Sequence, residues 1–393
     1  MTDTTAAGAT AGGPGASGRR VLIAADKFKG SLTAVEVAAH VAAGLRRAAP
    51  GVRTEALPVA DGGDGTVDAA VAAGFERRTE RVTGPLGEPV TAAYALRGDT
   101  AVVEMAEASG LRHLPRGRYA PLTAGTYGTG ELLRAALDAG AATVVLGVGG
   151  SASTDGGAGM LSALGARFTD AHGTPLAPGG GPLARLAAAD LSGLDPRLAR
   201  TRFVLASDVD NPLTGPKGAA AVYGPQKGAS PDDVAALDAA LARYARVLAE
   251  AVGPRAAEYA AAPGAGAAGG VGYGALVGLG AAFRPGIEVM LDVLGFAAAL
   301  ERADLVITGE GSLDAQTLHG KAPAGVAAAA RRRGVPVVAV CGALSLSAAE
   351  LRGAGILGAY AIASLEPDRE RCMADAGRLL ERLAGQVAAD FLL

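Results

Sequence analysis

Gly147-Val-Gly-Gly-Ser-Ala-Ser-Thr-Asp-Gly-Gly-Ala-Gly-Met160 is the stretch from which the rest of the chain can be read. Ahead of it lies Ala142-Thr-Val-Val-Leu146, an apolar run with three β-branched residues, which predicts a buried parallel strand. Behind it Met160-Leu-Ser-Ala-Leu164 predicts a helix. The order is strand, glycine-rich turn, helix. In such a turn glycines let backbone N–H groups approach an anion, and the helix N-terminus adds partial positive charge. One acid, Asp155, stands among the hydroxyls of Ser151, Ser153 and Thr154. A carboxylate there would repel a bare phosphate, so it points to a bound metal ion or to a substrate hydroxyl that gives up its proton. The plainer alternative is that Asp155 only caps the helix.

The same grammar opens the chain. Val21-Leu-Ile-Ala-Ala25 reads as a buried strand ending in Asp26-Lys-Phe-Lys-Gly-Ser31, and Thr33 with Glu36 forms a capping-box pair for a helix. A strand over residues 52–59 ends in Asp61-Gly-Gly-Asp-Gly-Thr66, before a helix that stops at Gly74. Open α/β sheets bind ligands in the loops after the carboxyl ends of such strands. The period then changes. Residues 75–83 and 90–96 alternate apolar and polar around Gly84-Pro-Leu-Gly87, a hairpin that residues 100–105 continue.

Further on, Phe203-Val-Leu-Ala206 runs into Ser207-Asp-Val-Asp-Asn-Pro-Leu213, where Asn211-Pro212 is also ordinary turn chemistry. Ser230 with Pro231 starts a long helix. The parallel pattern returns at Leu305-Val-Ile-Thr308, followed by the loop Gly309-Glu-Gly-Ser-Leu-Asp-Ala-Gln316, strands over 335–340 and 356–363, and a last helix over 368–391. The expected fold is α/β with two domains. Residues 19–75 and 295–393 form a discontinuous parallel-sheet domain of flavodoxin or Rossmann type, residues 76–294 an inserted mixed α/β domain, and residues 1–18 a disordered tail.

Composition excludes several classes. With 393 residues, net charge −3 and no basic block, a polyanionic partner such as nucleic acid is not expected. Trp is absent and aromatics are 4%, which argues against base-stacking platforms. Cys341 and Cys372 lie far apart with no CxxC, as in a reducing cytoplasm, and the four histidines do not cluster as zinc ligands would. Residues 259–283 carry no charge, but eight glycines and Pro263 make them a buried Gly/Ala helix rather than a membrane span. Gly264-Ala-Gly-Ala-Ala-Gly269 matches GxGxxG, yet no strand precedes it, as a dinucleotide site requires.

Five acid-bearing loops remain, around Asp26, Asp61/Asp64, Asp155, Asp208 and Glu310/Asp314, interleaved with Lys27, Lys29, Lys217 and Lys321. Glycine amides and lysines suit phosphates, acids suit Mg²⁺, and one acid can serve an acceptor hydroxyl. No Walker A, HRD, DFG or GxSxG motif is present. The residues alone therefore point to Mg²⁺-dependent phosphate chemistry on a small molecule.

The motifs Asp26–Ser31, Ala60-Asp-Gly-Gly-Asp-Gly-Thr66, Tyr127-Gly-Thr-Gly-Glu131, the 149–160 turn, Ser207–Leu213 with Gly224-Pro-Gln-Lys-Gly228, 263–270 and 308–321 occur in one order. In this the chain resembles the bacterial type-one glycerate kinase family over nearly all of residues 20–390. It departs mildly, with Thr154 where the family has Asn and Asp64 where Glu is usual. The resemblance implies transfer of the ATP γ-phosphate to D-glycerate, usually giving 2-phosphoglycerate, in a cleft between two α/β domains, by a cytoplasmic monomer or homodimer. The 3-phosphoglycerate product, or a related small hydroxy acid as acceptor, stays open. So do two other classes, a dinucleotide-dependent oxidoreductase and a non-catalytic nucleotide-binding protein.

Individual roles are allotted on chemical grounds. Asp155, Asp208 and Lys29 are the catalytic candidates. Asp26, Lys27, Ser31, Gly149, Gly150, Ser151, Glu310 and Lys321 are allotted to ATP, and Asp208 and Asp314 to Mg²⁺. Asp61, Asp64, Asn211 and Arg284 are allotted to the acceptor, where Arg284 or Lys321 would pair with its carboxylate. The tail lacks the apolar content to offset the entropy of ordering it. Deleting residues 1–18 should leave steady-state kinetics and melting temperature unchanged, and a large loss of either would show that the tail packs or acts.

Overall fold

The computed structural model describes residues 18–318 and 320–393, so all but the last residue of the expected tail lies outside the described part. In chain order the strands are β1 Arg20–Ala25, β2 Arg53–Ala56, β3 Glu76–Thr83, β4 Pro89–Arg97, β5 Thr100–Glu104, β6 Thr143–Gly147, β7 Arg167–Thr169, β8 Ala188–Asp190, β9 Arg202–Ala206, β10 Ala282–Arg284, β11 Leu305–Leu313, β12 Val337–Leu344 and β13 Ala359–Ala361. The chain divides into two compact units.

One unit comprises the residues up to Ala56 with Ala298–Asp314 and Ala327–Leu393. Its five strands run in the order β13-β12-β11-β1-β2, and every pair is parallel. The run Val21–Ala25 is buried throughout, as a central strand covered on both faces must be. This strand order places a topological switch point between β1 and β11, where open sheets leave a crevice for ligands. The expected capping box is present: Thr33 and Glu36 close the first turn of helix Ala34–Ala48. The last helix breaks at Asp375 into Arg369–Ala374 and Ala376–Phe391. Its second half buries Leu379, Leu380, Leu383 and Val387 with Val37, Val41 and Leu45 of the first helix. One expectation is corrected. β11 does not end at Thr308, because Ser312 and Leu313 still pair with Ala343 and Leu344, so Glu310 belongs to a strand and not to a loop.

The other unit comprises Leu57–Ala297 and Ala315–Val326. Its six-stranded sheet has the order β10-β9-β6-β5-β4-β3. The predicted hairpin is there: β3 and β4 pair antiparallel around residues 84–87, and Gly84 N–H donates to the Glu88 carbonyl at 2.7 Å. β5, β6, β9 and β10 then run parallel. β7 and β8 form a separate two-stranded ribbon. The division falls at Ala56/Leu57 and not after residue 75, because helix Thr66–Ala72 packs on β4 and β5 with Val67, Ala69 and Ala70 buried. Residues 315–326 also belong here, against the expected boundary at 295. The uncharged segment becomes helix Ala267–Gly278, packed on helix Ala158–Ala163, with the Tyr273 ring edge-on to Tyr244 at 5.7 Å. Among the described residues no helix is long and apolar enough to cross a membrane.

Helices Ala34–Ala48 and Ala376–Phe391 touch at Gly44, where an added Cβ would stand 2.2 Å from the Glu381 carbonyl oxygen and 2.7 Å from Ala384 Cβ. Only a residue without a side chain allows this approach. Gly44→Val should therefore cost about 1–3 kcal/mol by overpacking. Denaturant unfolding checks this, and an unchanged midpoint would show that the two helices part readily.

Candidate functional site

Both sheets carry polar residues at the carboxyl ends of their parallel strands. In the first unit the loop after β1 lies along β11, with Asp26 N–H donating to the Gly309 carbonyl at 2.8 Å. Asp26 Oδ1 accepts from Lys27 N–H at 2.6 Å, and Ser31 Oγ donates to the Met373 carbonyl at 2.9 Å. The loop that holds Asp26, Lys27, Lys29 and Ser31 thus leaves β1 at the switch point beside β11, the strand that carries Glu310, and Asp314 follows the end of β11. Glu310 faces Cys341 in register. Burial, helped by the Glu310 charge, pushes the Cys341 thiol up to about 12, which leaves it unreactive.

In the second unit the turn after β6 is the centre. Asp155 is 0% exposed. Its Oδ2 accepts from Thr126 N–H at 3.0 Å, Thr126 Oγ1 at 2.8 Å and Gly159 N–H at 3.2 Å, and its Oδ1 from Gly157 N–H at 3.1 Å. The Thr126 hydroxyl in turn accepts from Met160 N–H at 2.9 Å. Burial raises the Asp155 carboxyl above the usual range, and these four donors oppose that. Asp155, a catalytic candidate from the sequence, is thus tied into the turn and the start of helix Ala158–Ala163 by four donors of its own chain.

Asp208 has the opposite setting. Its backbone follows β9, its side chain keeps an exposed edge, and Oδ1 accepts from Gly286 N–H at 2.8 Å. The surrounding protein pushes its carboxyl up to about 7; the Gly286 N–H opposes this, and the charges of Asp61 and Glu288 add to it. Asp61 lies in the loop before helix Thr66–Ala72, and its Oδ1 accepts from Gly63 N–H at 3.2 Å. That loop reaches the β6 turn, where Gly149 N–H donates to the Gly62 carbonyl at 3.4 Å. Asp64 lies 3.9 Å from Arg112, which also pairs with Glu107 at 2.5 Å.

The remaining expected residues are partly committed elsewhere. Asn211 serves its own loop: its Nδ2 donates to the Lys217 carbonyl at 2.8 Å and its Oδ1 accepts from Tyr223 Oη at 2.6 Å. Arg284, at the end of β10, is half-buried and pairs with Asp292 at 3.0 Å. Lys321 precedes helix Ala322–Arg331 and is grouped with the second unit.

Two residues of this site escaped the sequence reading. Lys227 is 1% exposed, and its Nζ donates to Ser151 Oγ at 2.7 Å and to the Ser153 carbonyl at 2.5 Å. Burial pulls its pKa down to about 7, against the pull of Asp155. Glu104 ends β5 and is also 1% exposed; its Oε2 accepts from Gly65 N–H at 3.1 Å and Val67 N–H at 3.3 Å. Burial pushes this carboxyl up to about 7, opposed by the Val67 N–H and aided by Glu107 and Asp64. A signal for Glu104 was available: it is the one acid closing the apolar run Ala101-Val-Val-Glu104.

The GxGxxG match is a packing device. Ala268, Gly269 and Gly270 take left-handed conformations, and a Cβ on Gly269 would stand 2.1 Å from the Ser153 carbonyl oxygen. The run follows helix Arg255–Ala260, not a strand, and supports the underside of the β6 turn.

The sequence model of the Glycerate kinase family matches residues 21–392. The glycerate kinase of Bacillus subtilis (strain 168) is 46% identical over 377 residues, which are 95% of this chain and 98% of that protein. The glycerate 2-kinase of Escherichia coli (strain K12) is 46% identical over 330 residues, 83% of this chain and 86% of that protein. A crystal structure described as glycerate kinase 2 from Salmonella typhimurium LT2 superposes with a TM-score of 0.81 at 44% identity, covering 95% of this chain and all of that one.

The two acids should part in a stability measurement. Asp155→Ala strands four donors, three of them buried, and should cost about 3–5 kcal/mol in urea unfolding. Asp208→Ala removes a partly exposed side chain and should change stability by about 0.5 kcal/mol or less. Equal losses would overturn the division of roles.

Proposed function

The chain belongs to the glycerate kinase family, and from that membership we propose that it transfers the γ-phosphoryl group of ATP to D-glycerate, giving 2-phosphoglycerate, in the cytoplasm. The choice of product is supported by the relative named glycerate 2-kinase. The structural observation that carries the chemistry is Asp208, an accessible carboxylate at the end of a parallel strand whose pKa is pushed up to about 7. A base works best with a pKa near the operating pH. Asp208 takes the proton of the acceptor hydroxyl as its oxygen attacks the γ-phosphorus in line, and the leaving ADP carries away the other bond.

Around that step the chain supplies orientation. Arg284, held by Asp292, offers its guanidinium to the glycerate carboxylate. In the second unit the backbone around Gly149, Gly150 and Ser151 receives phosphate; in the first Lys27, Lys29 and Ser31 do so, in a loop that Asp26 shapes by accepting from Lys27 N–H. Asp61 acts by its charge on Asp208. Asn211 shapes the Asp208 loop from within it.

Mg²⁺ fits these residues. It prefers hard oxygen ligands and is commonly held by one or two carboxylates with phosphates and water completing the shell. Asp208 offers such oxygens, and the repulsion that Asp61 and Glu288 exert on it is what a nearby cation would relieve. Among the described residues no three His, Cys, Asp or Glu side chains converge on one point. When bound, the ion would neutralise charge on the transferring phosphoryl group.

Incubation with D-glycerate and Mg-ATP, followed by ³¹P NMR, should show 2-phosphoglycerate; 3-phosphoglycerate or unchanged ATP would overturn the reading. Asp208→Asn should lower turnover by roughly 10²–10⁴-fold with nucleotide binding kept. Because the base must be deprotonated, kcat/KM of the native enzyme should fall as pH drops through about 7. A variant rate restored by excess Mg²⁺ would make Asp208 a metal ligand instead.

A further inference from the structure

Lys227 is a feature of the second unit's site that the proposed chemistry does not use. It closes the short helix Pro225–Lys227, which Gly228 terminates in a left-handed conformation, and it points inward beneath the β6 turn. The charged group facing it is Asp155, whose oxygens are already engaged by Thr126, Gly157 and Gly159. Its uncharged partners are Ser151 Oγ and the Ser153 carbonyl.

An amine of this kind donates and, when charged, cannot accept. Ser151 Oγ is therefore the acceptor in its bond to Nζ, and the hydroxyl hydrogen must point elsewhere. No acceptor for that hydrogen is found among the described residues. Ser151 follows Gly150 in the turn where glycine amides gather, and it keeps 6% exposure, whereas Ser153 and Thr154 beyond it have none. Lys227 thus fixes the rotor of the one hydroxyl of the turn that solvent reaches.

We propose that Lys227 is a positioning residue that acts through Ser151, locking its hydroxyl as a donor to an anionic oxygen of an incoming ligand. The shared chemistry is that of a phosphate or carboxylate oxygen, carried by the nucleotide or by glycerate. The proposal rests on the reading of the protein as a glycerate kinase, because that reading supplies both anions. A purely structural Lys227 would disturb the whole turn and both ligands alike. A Lys227 that acts through Ser151 gives one lost hydrogen bond whichever partner is removed.

Calorimetric titration of the full chain with a non-hydrolysable ATP analogue, and separately with D-glycerate, tests this in Lys227→Met, Ser151→Ala and the double variant. One of the two ligands should bind about tenfold more weakly in each single variant, the value of one hydrogen bond to a charged group. The double variant should be no weaker than the singles, and the other ligand unaffected. The ligand that responds identifies the source of the anion. Multiplying losses in the double variant, or equal weakening of both ligands, would overturn the proposal. If Lys227→Met does not fold, Ser151→Ala alone decides: native melting with undiminished binding of both ligands sinks it. A native protein that binds neither ligand removes the kinase reading, and this proposal with it.

Discussion

Desolvating a carboxylate with no solvent exposure costs several kcal/mol, and hydrogen-bond donors offset that cost. Asp155 has four, three from the backbone and one from the Thr126 hydroxyl. Much of the second unit follows from this. The donors come from the turn itself, from the first turn of the helix after it and from the start of helix Tyr127–Asp138. One side chain therefore ties β6 to two helices. The glycines around it are consequences: Gly157 and Gly159 must bring their amides within 3.2 Å of a carboxylate, and Gly269 must admit the Ser153 carbonyl. Lys227 sits on the other side, so that the buried acid has a counter-charge close by.

The two sheets apply one rule with different results. In each, parallel strands end in polar loops on one edge. In the first unit the order of strands sets the switch point at β1 and β11, where the loop of Asp26, Lys27, Lys29 and Ser31 follows one strand and Glu310 lies in the other. In the second, the parallel strands β5, β6, β9 and β10 each deliver one chemical group: Glu104, the glycine turn, Asp208 and Arg284. Glu104 and Asp155 are buried and hold loops in place, while Asp208 and Arg284 keep access to solution. The inner residues fix geometry so that the outer ones need not.

Where the chain states its local physics in short range, its sequence is legible. The buried runs, the hairpin at residues 84–87, the capping boxes at Thr33 and Ser230 and the rejection of GxGxxG all depend on neighbours a few residues apart. The failures are of another kind. That β11 continues to Leu313 depends on partners in β12, about thirty positions away. That helix Thr66–Ala72 leaves the first unit depends on β4 and β5. The burial of Lys227 is set by its contact with Ser151, which is 76 residues distant in the chain. In sequence it looks like any lysine in a proline–glycine turn.

Asp155 and Asp208 make the same point within one site. Each follows an apolar strand, each is flanked by turn residues, and sequence alone gives them one role. Burial raises both carboxyls, but for Asp155 four donors from the surrounding chain favour the charged form, whereas Asp208 has one, from Gly286, and two acids beside it. What separates an anchor from a candidate base is the number of donors the fold can aim at it. A proton acceptor must keep lone pairs uncommitted, and four donors leave Asp155 few. Among the described residues Asp208 gives only Oδ1 to a donor, so its second oxygen has capacity for a substrate proton.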